Sequence, residues 1–159
     1  MKKKPIIQDL GYGTKPEKGL VLRGDLKFGN GARYSGALKS YFKQIPHGYG
    51  IYFFPEHGQM KKIDGIELAI IKYYSGNFKN AKFHGKGTFR GTEEYEYIGQ
   101  FKNGKLDGKG EMKYFNSKET FKGIFKNDHK VKGKWIFSNG DQYEGAIKNN
   151  SAHGKGKGV

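Results

Sequence analysis

The sequence predicts an all-β protein, built as one elongated antiparallel meander of stacked β-hairpins. Three observations lead to this fold class. The 159 residues include 26 glycines, only 4 prolines and 15% aromatic residues, a composition typical of closely packed β-structure. One short phrase recurs along most of the chain at a spacing of about 23 residues. Within each copy, aromatic residues and glycines alternate with polar residues, which is the period of a β-strand.

The repeating unit contains two strands and a turn. In the most regular copy, Tyr97, Gly99 and Phe101 share one face of the first strand, and Gly108 and Gly110 share one face of the second. Asparagine, glycine and aspartate residues between them predict a hairpin turn. We expect each inward glycine to open a slot for an aromatic ring from the neighbouring hairpin. The residues predicted to form this repeat core are Tyr34, Gly36, Tyr74, Gly76, Phe78, Tyr97, Gly99, Phe101, Phe121, Gly123, Phe125, Trp135, Tyr143 and Gly145.

The spacing of the copies divides the chain into an arm and a sheet. Residues 24–159 hold about five to six repeats, and residues 1–23 form an N-terminal arm that is partly irregular. One interval between copies is longer by about 17 residues, which places an insertion at about 55–73. Asp64 and Gly65 favour a tight turn there, so we expect an elongated hairpin or a projecting loop. An insertion that is merely tolerated is the alternative.

The phrase and the turn that follows it resemble the MORN repeat family, whose signature is Tyr-x-Gly-x-aromatic and then His-Gly-x-Gly. The sequence departs from the signature where Trp135 stands at the second glycine of one copy. The histidine position is filled in turn by His47, His84, Asp107, Lys132 and His153. The resemblance implies a non-catalytic scaffold or docking subunit of a larger assembly, of the cytoskeletal or ciliary kind found in axonemes and radial spokes.

No catalytic constellation stands out in the sequence. The chain has no cysteine, which excludes disulfides, thiol catalysis and cysteine-based zinc sites. The glycine pair around Lys86 lacks the spacing of a phosphate-binding loop. We expect the recurring histidines to be structural hydrogen-bonding residues, too far apart along the sheet to share a metal. We therefore predict no enzymatic activity, no cofactor and no metal site.

The positive charge belongs to the repeat. Lys and Arg number 30 against 15 Asp and Glu, a formal net charge of +15. By strand parity, recurring lysines lie opposite the glycine face, and equivalent lysines of successive repeats lie about 10 Å apart. We predict that they bind an anionic partner; a solvated face that only resists aggregation is the alternative. They are Lys39, Lys79, Lys102, Lys126 and Lys148 in the first strands, and Lys86, Lys109, Lys134 and Lys155 in the second.

The lysines also narrow the class of partner. Only three arginines are present, so the bidentate contacts that read nucleic-acid bases are scarce, and a nucleic-acid partner is disfavoured. Acidic protein tails and anionic lipid headgroups need only point charges. The functional alternatives to a scaffold are a module that binds acidic phospholipid, such as phosphoinositide, and a targeting chain for a separate enzyme. The lysines agree with the first of these, and the family resemblance implies both.

Two further expectations concern the chain ends and the membrane. The sequence stops part-way through the second strand of the last unit, so we predict that another chain or a second copy covers that C-terminal edge. The longest nearly uncharged apolar run, residues 66–74, is much shorter than a bilayer span. The basic start of the chain lacks the apolar core of a signal peptide. We expect an intracellular protein without a transmembrane segment.

Overall fold

The structure is a computed structural model that describes residues 22–40, 43–55, 60–63, 66–69, 72–91 and 94–158. None of these residues is helical. The predicted arm, apart from residues 22 and 23, and the predicted turn at Asp64 and Gly65 lie outside the described residues. The strands are β1 (Arg23–Lys27), β2 (Arg33–Leu38), β3 (Pro46–Phe53), β4 (Met60–Ile63), β5 (Ile66–Ala69), β6 (Tyr73–Lys79), β7 (Lys82–Gly91), β8 (Tyr95–Lys102), β9 (Lys105–Tyr114), β10 (Thr120–Lys126), β11 (His129–Ile136), β12 (Gln142–Lys148) and β13 (Ser151–Gly158).

Eleven of these strands form one open sheet in the order of the chain. The order is β1-β2-β3-β6-β7-β8-β9-β10-β11-β12-β13, and every strand is antiparallel to its neighbours. The strands β4 and β5 of the insertion pair only with each other. The predicted all-β meander of stacked hairpins is therefore confirmed.

Two-residue turns close most of the hairpins. Both turn residues have positive φ, the geometry of the type I′ turn that suits the twist of paired strands. In the turn between β8 and β9, Asn103 has φ 51° and Gly104 has φ 84°. The amide of Gly104 also donates to the carbonyl of Phe83 in the preceding hairpin at 2.9 Å. The amides of Ala81 and Asp128 make the same kind of bond, so these three turns each close their own hairpin and connect it to the hairpin before.

A continuous row of glycines crosses the sheet at right angles to the strands. Each member is the direct partner of the next, from β1 to β12, because the register of every pair places glycine opposite glycine. Directly opposed residues of antiparallel strands point to the same face. The row is Gly24, Gly36, Gly50, Gly76, Gly87, Gly99, Gly110, Gly123, Gly133 and Gly145.

Aromatic rings cover this row on one side, which we call the inner face. The ring of Tyr97 lies against Gly99 and Gly110, so that a Cβ on Gly110 would collide with the Tyr97 ring and hydroxyl. Tyr34, Tyr74, Phe121 and Tyr143 cover the glycine pairs of their own hairpins in the same way. The prediction that the ring comes from the neighbouring hairpin was wrong. The ring belongs to the first strand of the same hairpin, because Tyr97 leans along its own strand over Gly99, two residues ahead.

Successive hairpins are joined by edge-to-face ring contacts. Tyr74 meets Phe101 of the next hairpin with ring centroids 5.0 Å apart, and Tyr97 meets Phe125 at 4.9 Å. Such contacts add to the burial of the rings themselves. The largest fully buried side chains of the described residues are these repeat aromatics, namely Tyr34, Tyr74, Tyr97, Phe121 and Phe125. The core is thus a single file of rings along the inner face.

The hairpin of β10 and β11 differs from the others by one residue. In the β8–β9 hairpin, the register shifts between Gly99 and Phe101, and Gly108 bulges out with φ 113°. In β11 the counterpart of Gly108 is missing, so Gly133 takes the place of Gly110 as the partner of the first-strand glycine, Gly123. The assignment of Trp135 to the second glycine is therefore wrong. Trp135 pairs with Phe121 and is buried in the core.

Candidate binding surface on the outer face

The face opposite the aromatic rings, the outer face, carries two parallel rows of side chains. One row lies nearer the type I′ turns and is called the turn-side row; the other is called the linker-side row. The turn-side row runs Tyr49, Asn77, Lys86, Gln100, Lys109, Ile124 and Lys132. The linker-side row runs Ser75, Thr88, Ile98, Glu111, Lys122 and Lys134.

A shallow groove lies between the two rows, with the backbone of the glycine row as its floor. Its first section has a volume of about 590 Å³ and extends from Tyr49 on β3 to Lys109 on β9. A second section of about 480 Å³ continues to Ile124 on β10 and shares Ile98 and Lys109 with the first. Apolar side chains are exposed along it: Tyr49 by 55%, Ile98 by 49% and Ile124 by 39%.

Side-chain hydrogen bonds hold the polar parts of the groove in place. The Gln100 side-chain carbonyl accepts from the amide of Lys109 at 2.9 Å, across the bulge in β9. The hydroxyl groups of Tyr49 and Ser75 lie 2.9 Å apart and connect the two rows. The first of these bonds fixes the backbone from which Lys109 projects.

The lysines of the groove outweigh its acidic groups. Glu111 lies between two lysines, with a carboxylate oxygen 3.4 Å from the Lys113 ammonium and the other 4.0 Å from that of Lys122. Lys86, Lys109 and Lys132 are exposed and form no ion pair with any described residue. The turn-side row therefore presents positive charge that no acidic side chain of the described chain neutralises.

The structure separates the predicted lysines into two places. Lys86 and Lys109 line the groove, whereas Lys39, Lys79, Lys102, Lys126 and Lys148 are exposed at the turn end of the first strands. Lys39 donates to the side chain of Asn80 at 3.0 Å, and Lys126 lies 3.0 Å from Asp107. The hydrogen bond from Lys126 holds the pKa of Asp107 below its ordinary value. The side chain of Lys155 is outside the described part.

The one-residue deletion in β11 also changes which lysine belongs to the groove. Lys132 is the partner of Ile124 and so continues the turn-side row after Lys109. Lys134 pairs with Lys122 and belongs to the linker-side row. The sequence assignment of Lys134 to the position of Lys86 and Lys109 is therefore wrong, because the repeat was aligned without the deletion.

Lys130 is a buried cation that sequence reasoning did not single out. Its side chain is only 7% exposed, and its ammonium lies 4.0 Å from the ring centre of Trp135 and 4.8 Å from that of Tyr114. Burial lowers the pKa of Lys130, and the nearby carboxylate of Glu119 acts in the opposite direction. The equivalent position in the preceding hairpin holds Leu106. The change from leucine to lysine at this position is the feature of the sequence that could have indicated a buried cation.

The histidines and acidic groups of the described ranges do not assemble into a site. No set of three or more His, Asp or Glu residues there is placed to hold a metal ion. The His47 ring nitrogen accepts from the amide of Asn80 at 3.3 Å, a structural contact with the next turn. The buried Nδ1 of His84 has no hydrogen-bond partner among described residues. Nor does that part of the chain contain a helix long and apolar enough to cross a bilayer.

Comparison with known proteins identifies the repeat. The family model of the MORN repeat matches residues 45–59, 74–93, 97–118, 121–142 and 143–157, which together make up more than half of the chain. No curated protein matches the sequence. The last four stretches correspond to the β6–β7, β8–β9, β10–β11 and β12–β13 hairpins, and the first contains β3. The chain therefore belongs to the MORN repeat family.

Proposed function

We propose that this chain is a non-catalytic docking subunit of a larger assembly, of the cytoskeletal or ciliary kind, and that it holds a protein partner on its outer face. The observation that carries the proposal is the groove between the turn-side and linker-side rows. It combines exposed apolar side chains with lysines that have no acidic partner among the described residues, the mixture that protein interfaces use. MORN repeats are in general modules that bind proteins or membrane lipids.

The test is site-specific photo-crosslinking in cells that express the protein. A photo-reactive phenylalanine replaces Tyr49 or Ile124 in the groove, and in the control it replaces Phe115, which is 38% exposed outside the two rows. We expect discrete protein adducts from the two groove positions and none from the control. Equal adducts at all three positions, or none in the groove, would overturn the proposal.

A second candidate is binding of acidic phospholipid, such as phosphoinositide, along the turn end of the sheet. The observation that favours it is the row of Lys39, Lys79, Lys102, Lys126 and Lys148, which stand about 10 Å apart beside the turns. Lysine ammonium groups near an anionic bilayer contribute roughly 1 kcal/mol each. Vesicles that contain phosphatidylserine or phosphoinositide should then carry the protein in flotation, in a salt-sensitive manner. Replacing Lys102 and Lys126 by glutamate should weaken this binding, and flotation that never exceeds that with neutral vesicles would remove the candidate.

A further inference from the structure

We propose that the turn-side row reads an extended acidic polypeptide whose carboxylates or phosphates recur at every third residue. This inference rests on the proposed docking function and adds the chemistry and the spacing of the partner. The row contains three exposed lysines, Lys86, Lys109 and Lys132, each without an ion pair among the described residues. They stand on alternate strands, β7, β9 and β11.

The strand spacing sets the distance between these charges. Adjacent strands lie about 4.8 Å apart, so lysines on alternate strands lie about 10 Å apart along the groove. A polypeptide in the polyproline II conformation has three residues per turn and rises about 9 Å per turn. Side chains at every third residue therefore point to the same side at nearly the spacing of the lysines. A β-strand does not meet this condition, since residues three apart lie on opposite faces.

The width of the groove also favours an extended chain. The turn-side and linker-side rows come from residues two apart on each strand, such as Ile98 and Gln100, which separates their Cα atoms by about 7 Å. An α-helix with its side chains is about 10–12 Å across and would rest on the rims. A single extended chain fits between the rows, where Ile98 and Ile124 offer apolar contact between the lysines.

Charge identifies the occupant as a different protein. The chain carries a formal net charge of +15, so a second copy would bring more positive charge to the groove. Residues 1–21 contain five lysines against two acidic residues, so this segment is also unsuited to the groove. An acidic segment of a partner complements the lysines, which would raise both its association rate and the specificity of binding.

The experiment measures fluorescence anisotropy of two labelled peptides with the full chain at physiological salt. One peptide has four Glu-Pro-Pro repeats; the other has the same composition with its four glutamates together at one end. We expect the spaced peptide to bind about tenfold more tightly, which corresponds to three exposed ion pairs of modest strength. Equal binding of the two peptides would overturn the proposed spacing.

Matched variants test whether the row is the site. Changing Lys86, Lys109 and Lys132 to glutamine should abolish the preference for the spaced peptide. The control changes Lys82, Lys105 and Lys118 to glutamine; these lysines are exposed outside the two rows, so the control removes the same charge and should keep the preference. Equal losses in both triple variants would show a diffuse charge effect and overturn the assignment.

Two further outcomes separate this inference from the proposed function. If an anionic vesicle or a single-stranded oligonucleotide binds through Lys86, Lys109 and Lys132 about tenfold more tightly than the spaced peptide, the polypeptide assignment is overturned. If the spaced peptide shows no preference while the photo-crosslinks at Tyr49 and Ile124 persist, the spacing falls and the docking function stands. If the crosslinks at Tyr49 and Ile124 are also absent, both the proposed spacing and the docking function are overturned.

Discussion

The hydroxyl of Tyr97 donates a hydrogen bond of 3.0 Å to the backbone carbonyl of Gln100, the residue at which β8 and β9 change register. Tyr34, Tyr74 and Tyr143 make the same bond to the residue three positions ahead. In the fourth hairpin of this series the ring is Phe121, and there Ile124 stays paired with Lys132. In the hairpins of Tyr34, Tyr74 and Tyr97 the hydroxyl meets the carbonyl of a residue that the register shift skips, namely Ala37, Asn77 and Gln100. In the Phe121 hairpin the shift comes one residue later, between Ile124 and Phe125.

Removing the hydroxyl should destabilise the sheet only where the carbonyl depends on it. We expect Tyr97→Phe to lower the free energy of unfolding by about 1 kcal/mol, the net value of a partly buried hydrogen bond. The reciprocal change Phe121→Tyr adds a buried hydroxyl to a hairpin in which the residue three positions ahead, Ile124, keeps its partner Lys132, and should not stabilise the protein. Urea unfolding followed by circular dichroism measures both. A stabilised Phe121→Tyr variant would contradict the explanation.

Alkaline pH should destabilise the sheet through its buried tyrosines. Burial raises the pKa of Tyr97 from its ordinary value of 10.0 to about 12, and raises those of Tyr34 and Tyr114 similarly. Between pH 10 and 12 the unfolded chain loses these protons while the folded chain keeps them, so stability falls as pH rises. Urea midpoints at pH 9 and pH 11 should show the loss, and Tyr97→Phe should show less of it.

Glycines of the central row should tolerate no side chain. A Cβ on Gly110 would overlap the ring and hydroxyl of Tyr97, which are fixed by packing. We expect Gly110→Ala to lower the free energy of unfolding by about 3 kcal/mol, at the upper end for overpacking. Gly29→Ala is the control, because no atom lies within 4 Å of a Cβ built there. That change should stay within about 0.5 kcal/mol, and equal effects would refute the role of the row.

One turn should be improvable by a single substitution. Ala81 occupies the second position of its turn with φ 64°, where Gly104 stands in the next hairpin. An alanine in this left-handed conformation is strained. We expect Ala81→Gly to stabilise the protein by about 0.5 kcal/mol or more, and Gly104→Ala to destabilise it by about 1 kcal/mol. Thermal unfolding of the two variants checks both signs.

Lys130 should give the sheet a second pH dependence of opposite sign. Burial lowers the pKa of Lys130 below its ordinary value of 10.5. As pH rises from the folded pKa toward 10.5, the unfolded chain still holds the proton, so this group adds stability with rising pH. Lys130→Met should therefore gain most over the wild type near pH 7 and less near pH 10. The exposed Lys132→Met is the control, and an identical pH profile in both variants would contradict the prediction.

The sequence sufficed for the meander but not for its details. Alternation of Tyr97, Gly99 and Phe101 determines which face each residue takes, and the repeat determines that the hairpins follow in order. Periodicity does not reveal a bulge, since a bulge depends on how two strands pair. Because β11 has one residue fewer, the repeat pattern in the sequence assigned Trp135 and Lys134 to the wrong positions.

The candidate groove was harder to predict than the fold. The lysine rows were visible in the sequence, but their division between groove and turn end depends on pairing across bulges. Tyr49, Ile98 and Ile124 occupy one surface only after the six strands from β3 to β10 have been aligned, and no single repeat contains more than one of them. Lys130 occupies a strand position whose side chains point to the inner face, so it is buried although a charged group prefers water.

The direct pairing of β3 with β6 has a practical consequence. Gly50 and Gly76 are partners in an unbroken ladder although the chain between them leaves the main sheet to form the β4–β5 pair. Strand pairing in the main sheet therefore does not depend on which residues the insertion contains. The insertion offers a permissive point for grafting a fluorescent reporter or an affinity epitope while both halves of the array keep their alignment.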